Sequence, residues 1–434
     1  MTTFLCCGTF IFQVYRRRES IATSVVCVSK DETNLEVNLA LIGVLLFVLA
    51  LLFSVMVHEF GHYIFAKKFG MKVTEFFLGF GQRIWSTVRG ETEFGIKAIP
   101  AGGYCRIEGM TIHDQMPEGE ESRAFVIAST PRKLIVLGAG SFNHFVLGFL
   151  MILVMFAGIG VQSMSTTIKE IVPCVSSSTS CTPNDPVSPA VKAGLKAGDK
   201  VVAINGKATI SNNFSESLNA IRKHSGQEFT FTVRRGSETI DLKVTPTDRT
   251  IQGYTYSFVG FVAAPTTYRQ PIFTSINNSA SVTWYMIKES FKSLFKLPSM
   301  IPSLIRETFG NEARDPNGPV GIVGVARASG DIVSSSSINT TNQISIFLMM
   351  IASLNIFVGI FNLLPLLPLD GGHMAIAIAD SIRYRYARLR GREKPAPIDI
   401  NRLTPITIAV FALLVALTVL LLIADIVNPV NLNL

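Results

Sequence analysis

Charge is scarce in this 434-residue chain: Asp, Glu, Lys and Arg make up 16% of it, against 48% hydrophobic residues. An ordinary soluble enzyme carries far more charge, so that class is set aside first. Cysteine is also sparse. Six are present, scattered at Cys6, Cys7, Cys27, Cys105, Cys174 and Cys181, which rules out a disulfide-built scaffold. No secretory signal order opens the chain, because the short apolar run MTTFLCCGTFIFQVY comes before Arg16, Arg17 and Arg18 rather than after a basic segment. Residues 1–37 are left as an unassigned extension. The net charge is +8, yet no basic face with interleaved aromatics appears, so nucleic acid is not an expected partner.

What the chain does have is long apolar runs. A helix needs roughly 20 mostly apolar residues to cross a bilayer, and four stretches approach that length, at 38–65, 134–161, 343–369 and 404–425. The expected fold is a multi-pass α-helical membrane protein with about four spans, placed at 38–66, 133–162, 343–380 and 404–425. Lys67, Lys68, Lys72, Arg83, Arg89, Lys97, Arg106, Arg132 and Lys133 lie between the first two spans; Arg383, Arg385, Arg388, Arg390, Arg392, Lys394 and Arg402 lie between the last two. The positive-inside rule puts both loops, 67–132 and 381–403, in the cytoplasm. The long segment between spans two and three then lies outside, with both termini.

Between the spans the pattern changes. Residues 74–110 read as short strands with glycine punctuation, a membrane-associated β-hairpin region. Residues 163–250 alternate like a small α+β domain, with strands in KVVAING, EFTFTVRR and TIDLKVTP and a helix near 213–224. Cys174 and Cys181 fall in the outside segment, where a bridge and two free thiols are both admissible. In the linker 251–342, Trp284, Ile287, Phe291, Leu294 and Phe295 recur at helical spacing against Lys288, Lys292 and Lys296. That suits an interfacial amphipathic helix on the membrane, or one packed on the protein's own surface.

The chemistry concentrates in His58-Glu59-Phe60-Gly61-His62. On a helix, positions i and i+4 share a face, so His58 and His62 are expected to present both imidazoles to one metal, with Glu59 beside them as general base. Three ionisable residues in one turn of an apolar helix are costly in a bilayer and mark a functional site. A catalytic zinc takes three protein ligands and leaves a place for water. Asp370, which ends the apolar stretch Asn362-Leu363-Leu364-Pro365-Leu366-Leu367-Pro368-Leu369-Asp370, is the candidate third ligand, with His373 a competitor ranked below it.

Together HEFGH, KAIPAGGYCRIEG and FNLLPLLPLDGGH resemble the site-2 protease family, in its bacterial branch of the regulator-of-sigma-E protease type; the likeness covers about 40–425. That resemblance implies a zinc-dependent intramembrane endopeptidase, with Zn2+ held by His58, His62 and Asp370 and Glu59 activating water. It implies a membrane-protein substrate embedded in the lipid bilayer, such as a site-1-cleaved anti-sigma factor, and a cell-membrane location with the catalytic centre towards the cytoplasm. It also puts Asn362, eight residues before Asp370, near the substrate backbone, and brings Asn143 to the site. Two departures stand: Gly140-Ser141-Phe142-Asn143 lacks the family's proline after glycine, and Pro365 and Pro368 are separated by two residues instead of one. PAVKAGLKAGDKVVAINGK is similar to a PDZ turn and strand, implying a PDZ-like domain outside that either filters substrates by bulk or docks them. The competing classes are a non-catalytic PDZ-bearing membrane scaffold and a metal transporter.

Overall fold

The computed structural model describes residues 30–430 except 112, 115, 177–180, 211–213, 252–253, 311 and 394; the side chains of 30–36 and of Tyr254 are also outside the description. The expected extension 1–37 therefore lies outside the described residues up to position 29, and so do Cys6, Cys7 and Cys27. The chain divides into two compact units, one formed by residues up to Val154 and from Ser275 onward, the other by Met155–Thr274.

Among the described residues, four helices are long and apolar enough to cross a membrane: Val37–Lys68, Thr130–Ile159, Thr340–Asn362 and Ile400–Val427. The first lies within α1 (Lys30–Lys68), which leads into a hairpin of β1 (Val73–Arg89) and β2 (Thr92–Ile107). Each strand bends back, so that Glu75–Leu78 of β1 pair on one side with residues 103–106 of β2 and on the other with 93–96. The result is four short stretches side by side, with Ile99–Ile107 along one edge. The base of the hairpin is fixed by a core of Ala66, Met71, Val73, Ile107, Phe125 and Val136. Beside it Glu91 is gripped by Arg123, with N–O distances of 2.6 and 2.7 Å, and by Lys67; the Arg123 hydrogen bonds lead in holding the Glu91 carboxyl down at about 2.

The second span begins in α2 (Thr130–Leu153) and ends in a π-helical turn, Val154–Ile159. The other unit then builds a sheet in the order β10-β3-β4-β6-β7, from β3 (Val161–Ile171), β4 (Lys200–Ile204), β6 (Phe229–Arg235), β7 (Glu238–Val244) and β10 (Phe261–Tyr268). β5 (Lys207–Ala208) pairs with β4, and β8 (Thr247–Ile251) pairs with β9 (Tyr254–Phe258). The helices of this unit are α3 (Pro189–Lys192) and α4 (Phe214–Ile221). Alternating residues point one way into a core of Ile168, Val201, Phe214, Phe231, Val233 and Val244. Asp199 is fully buried because Arg235 grips it bidentately, at 2.7 and 2.8 Å, while it accepts the Lys196 N–H at 2.9 Å. Hydrogen bonding from Arg235 also keeps the Asp199 carboxyl below its usual range. Cys174 and Cys181 are joined as a disulfide. The sheet recruits 261–268, beyond the domain expected at 163–250, because β10 supplies the partner that the outer edge of β3 needs.

The chain returns through α5 (Ile272–Phe309) and α6 (Ile322–Ser334) to α7 (Thr340–Asn362), α8 (Asp370–Leu389) and α9 (Thr404–Val427). Where one span was expected over 343–380, the helix stops at Asn362 and restarts at Asp370. Pro365 and Pro368 account for the break, since each lacks an N–H and neither sits in a helix interior without cost. α1 packs closely on α6: a Cβ on Gly43 would meet the Ser329 carbonyl at 2.5 Å, the small-residue contact by which membrane helices approach one another. α9 is tied in by one polar residue. Asp425, buried near the end of the helix, accepts the N–H groups of Gly324 at 2.7 Å and Gly321 at 3.3 Å, filling the bare start of α6, and Arg314 lies 3.6 Å away.

Candidate metal centre

His58 and His62 face inward from the last turns of the first span, one turn apart, and both are buried. Their Nε2 atoms lie 3.1 Å apart. Across from them, the first residue of α8 brings Asp370 Oδ2 to 3.2 Å from His58 Nε2 and 3.4 Å from His62 Nε2. Among the described residues this is the one group of three or more histidines, cysteines or carboxylates close enough to hold one ion.

The spacing is a test of fit. A tetrahedral zinc with bonds of about 2.0–2.2 Å holds its ligands roughly 3.3 Å from one another, and the three separations bracket that value. The hydrogen bonding agrees. His62 donates Nδ1–H to the Val136 carbonyl at 2.8 Å, which turns its Nε2 towards the other two groups. A neutral ring held this way offers a metal its Nε2 lone pair, beside a carboxylate that calls for a cation in an apolar surrounding.

The local sequence makes room for this arrangement. Gly140 of α2 lies flat against the His58 ring: a Cβ there would stand 2.5–2.6 Å from its Cε1, Nδ1 and Nε2 atoms. On the other side, Asp370 reaches the histidines because Gly371 lets the start of α8 fold back on the turn before it, where a Cβ would meet the Leu363 and Leu364 backbone at 2.3 Å. Glu59, on the neighbouring face of α1, is half-buried, and the backbone N–H of Cys105 in β2 faces its carboxylate. The edge stretch of the hairpin thus runs past the glutamate.

The remaining candidates fall as follows. Asn143 donates its Nδ2 to the Val57 carbonyl at 2.7 Å, clamping α2 to α1 one residue before His58. Asn362 is the half-buried last residue of α7, across the proline turns from Asp370. His373, a turn beyond Asp370, is outside the cluster and lines a small pocket with Met110, Lys133 and Asp380. Sequence reasoning passed over His144. It is buried with its ring centroid 5.0 Å from that of His58, and its Nδ1 donates to Asn355 Oδ1 at 2.9 Å, while Asn355 Nδ2 donates to the Ile351 carbonyl at 2.8 Å. A histidine in an apolar span next to the Gly140–Asn143 stretch was the available signal.

Comparison with known proteins decides the class. The model of peptidase family M50 matches residues 46–399. The chain belongs to this family, the site-2 proteases. Zinc metalloprotease Rip1 of Mycobacterium tuberculosis is 34% identical over 409 residues, covering 90% of this chain and 98% of Rip1. Rip1 of Mycolicibacterium smegmatis is 33% identical, again covering 90% and 98%, and a putative zinc metalloprotease of Clostridium perfringens is 28% identical, covering 87% and 96%. This M50 member is a metalloendopeptidase and zinc is its cofactor, which sets aside the scaffold and transporter readings.

The contact at Gly140 yields a prediction. Gly140→Ala forces the His58 ring aside, and metal analysis of the purified variant should show zinc binding weakened by roughly tenfold or more, the usual effect of disturbing a ligand's support. Full zinc occupancy at wild-type affinity would show that the ring has space to move.

Proposed function

We propose that this M50 protease cleaves within or beside the transmembrane helix of a single-pass membrane protein, of which an anti-sigma factor trimmed beforehand by another protease is the type. One observation carries the reading: the three converging groups and Glu59 belong to helices α1 and α8 at the ends of apolar stretches, so their reach is to a substrate at membrane depth. We assign His58, His62 and Asp370 as the zinc ligands and Glu59 as the general base.

Bound there, zinc supplies Lewis acidity for the scissile carbonyl and lowers the pKa of water towards roughly 7. Glu59 takes the proton of the attacking water as the carbon–oxygen bond forms. It then delivers that proton to the amide nitrogen as the carbon–nitrogen bond breaks. A peptide bond inside a membrane helix is sheltered by its own hydrogen bonds, so the substrate must unwind to be cut. The Ile99–Ile107 edge has no strand beyond it among the described residues and suits the unwound stretch in the manner of strand addition, with Asn362 as a second contact. One N–H of the Asn143 amide is committed to Val57, so a substrate role falls to its Oδ1 or to its second N–H.

The test is cleavage of a single-span substrate by purified enzyme. Glu59→Gln should retain zinc and lose activity by about 10²–10⁴-fold, whereas Asp370→Ala should lose zinc as well. An active Glu59→Gln enzyme would remove the glutamate from the mechanism.

The Lys and Arg asymmetry supports a cytoplasmic catalytic side with the Met155–Thr274 unit outside. Cysteines introduced near 120 and 390 should then resist a membrane-impermeant thiol reagent in intact cells, and one near 225 should react; labelling at 120 inverts the topology.

We read the Met155–Thr274 unit as PDZ-like and as a filter against bulky outside domains. Removing Val161–Tyr268, which takes β3 and its partner β10 together, should let the enzyme cut an untrimmed substrate that the full chain refuses. Slower cutting of the trimmed substrate would make the unit a docking site instead.

A further inference from the structure

The long helix α5 has three distinct faces. Ser275, Ser279, Thr283, Leu304 and Thr308 are buried on one. On the next, Ile276, Trp284, Phe291, Phe295, Ile305 and Phe309 follow one another at the helical repeat and form a stripe open to the surroundings, with Trp284 60%, Phe295 70% and Phe309 67% exposed. Lys288, Lys292 and Lys296, spaced four apart, begin at the flank of that stripe and wind onto the third face, all of them exposed. Arg306 adds a fourth exposed cation, paired with Glu312 at 3.5 Å just beyond the helix, and Glu289 pairs with Lys292 at 2.7 Å, so Lys288 and Lys296 carry most of the uncompensated charge.

A contiguous aromatic and aliphatic stripe of this size is not left in water. The position of the helix indicates what covers it. Asn428, the first residue beyond α9, donates its Nδ2 to the carbonyls of Glu307 at 2.8 Å and Glu312 at 3.0 Å. The end of α5 is thereby pinned to the end of a membrane-crossing helix, at the level where hydrocarbon gives way to headgroups. Lysines bordering an apolar stripe at that depth meet phosphate.

We propose that α5 lies in the membrane–water interface, with the Trp284–Phe309 stripe among the acyl chains and Lys288, Lys292 and Lys296 binding the phosphates of anionic lipid headgroups. The occupant is a lipid surface and not a protein, because charge and aromatic stripe run side by side along the helix, as an interface requires. A peptide partner would need acidic residues matched to three lysines over two full turns. The proposal rests on reading the four apolar helices as membrane spans and is independent of the zinc chemistry.

Trp85 and Trp284 are the only tryptophans in the chain, so Trp85→Phe leaves Trp284 as the sole reporter. The full-length variant would be placed in nanodiscs of phosphatidylcholine alone or of phosphatidylcholine with phosphatidylglycerol, using acyl chains brominated at known depths. Stable incorporation of the protein into the discs tests the membrane reading separately. Trp284 fluorescence should be quenched by the bromines, more strongly in the anionic discs, and replacing Lys288, Lys292 and Lys296 with Gln should abolish the difference between the two lipids. Equal quenching in both lipids before the lysines are replaced would overturn the headgroup assignment. An absence of quenching in either lipid would place the stripe against protein, and cross-linking at Phe295 would then tell whether a second copy covers it.

Discussion

Everything in the membrane unit answers to one constraint: two imidazoles from the apolar helix α1 and a carboxylate from the first residue of α8 meet within 3.4 Å of one another. Such groups are expensive to bury unpaired, and the expense falls only when something with positive charge lies among them. Holding them together takes contributions from several elements. α1 supplies the histidines, α2 supplies the Val136 carbonyl and the flat surface of Gly140, and the break after α7 lets α8 begin at the right place for Asp370. The Asn143–Val57 hydrogen bond fastens α2 to α1 at the same level.

A good part of this was legible in the residues. The four apolar runs needed only length and hydropathy, and they correspond to the four described helices that are long and apolar enough to cross a membrane. His58 and His62 were legible because helical spacing alone puts them on one face, and the structure puts their Nε2 atoms 3.1 Å apart. Asp370 needed the argument that a carboxylate closing an apolar stretch requires a partner.

Other features depend on contacts that no local pattern records. The span expected over 343–380 ran through the stop at Asn362 and the restart at Asp370 because the intervening residues are leucine-rich, although Pro365 and Pro368 already marked an interruption of the helix there. The strand at 261–268 reads as linker until β3 is known to need a partner. The doubling back of the hairpin is set by pairing between residues far apart along it. His144 was missed because, alone in its helix, it has no partner at ligand spacing; its place in an apolar span was a signal, but the packed structure is what brings it against His58 and Asn355. Asp425 belongs with it. Near the end of the most apolar span it carries no motif, yet it caps α6 and links that helix to α9, and losing such a buried charge while Arg314 stays behind would cost about 3–5 kcal/mol.

The central claim is that zinc sits among His58, His62 and Asp370, joining α1 to α8. X-ray absorption at the zinc edge of the purified full-length protein tests it most directly, because it counts and identifies the atoms around the metal without relying on activity. The account predicts two imidazole nitrogens with oxygen completing the shell, at about 2.0–2.2 Å, and loss of that signal in His58→Ala. A third imidazole in the shell, brought in from His144 or His373, or a sulfur from Cys105, would contradict it.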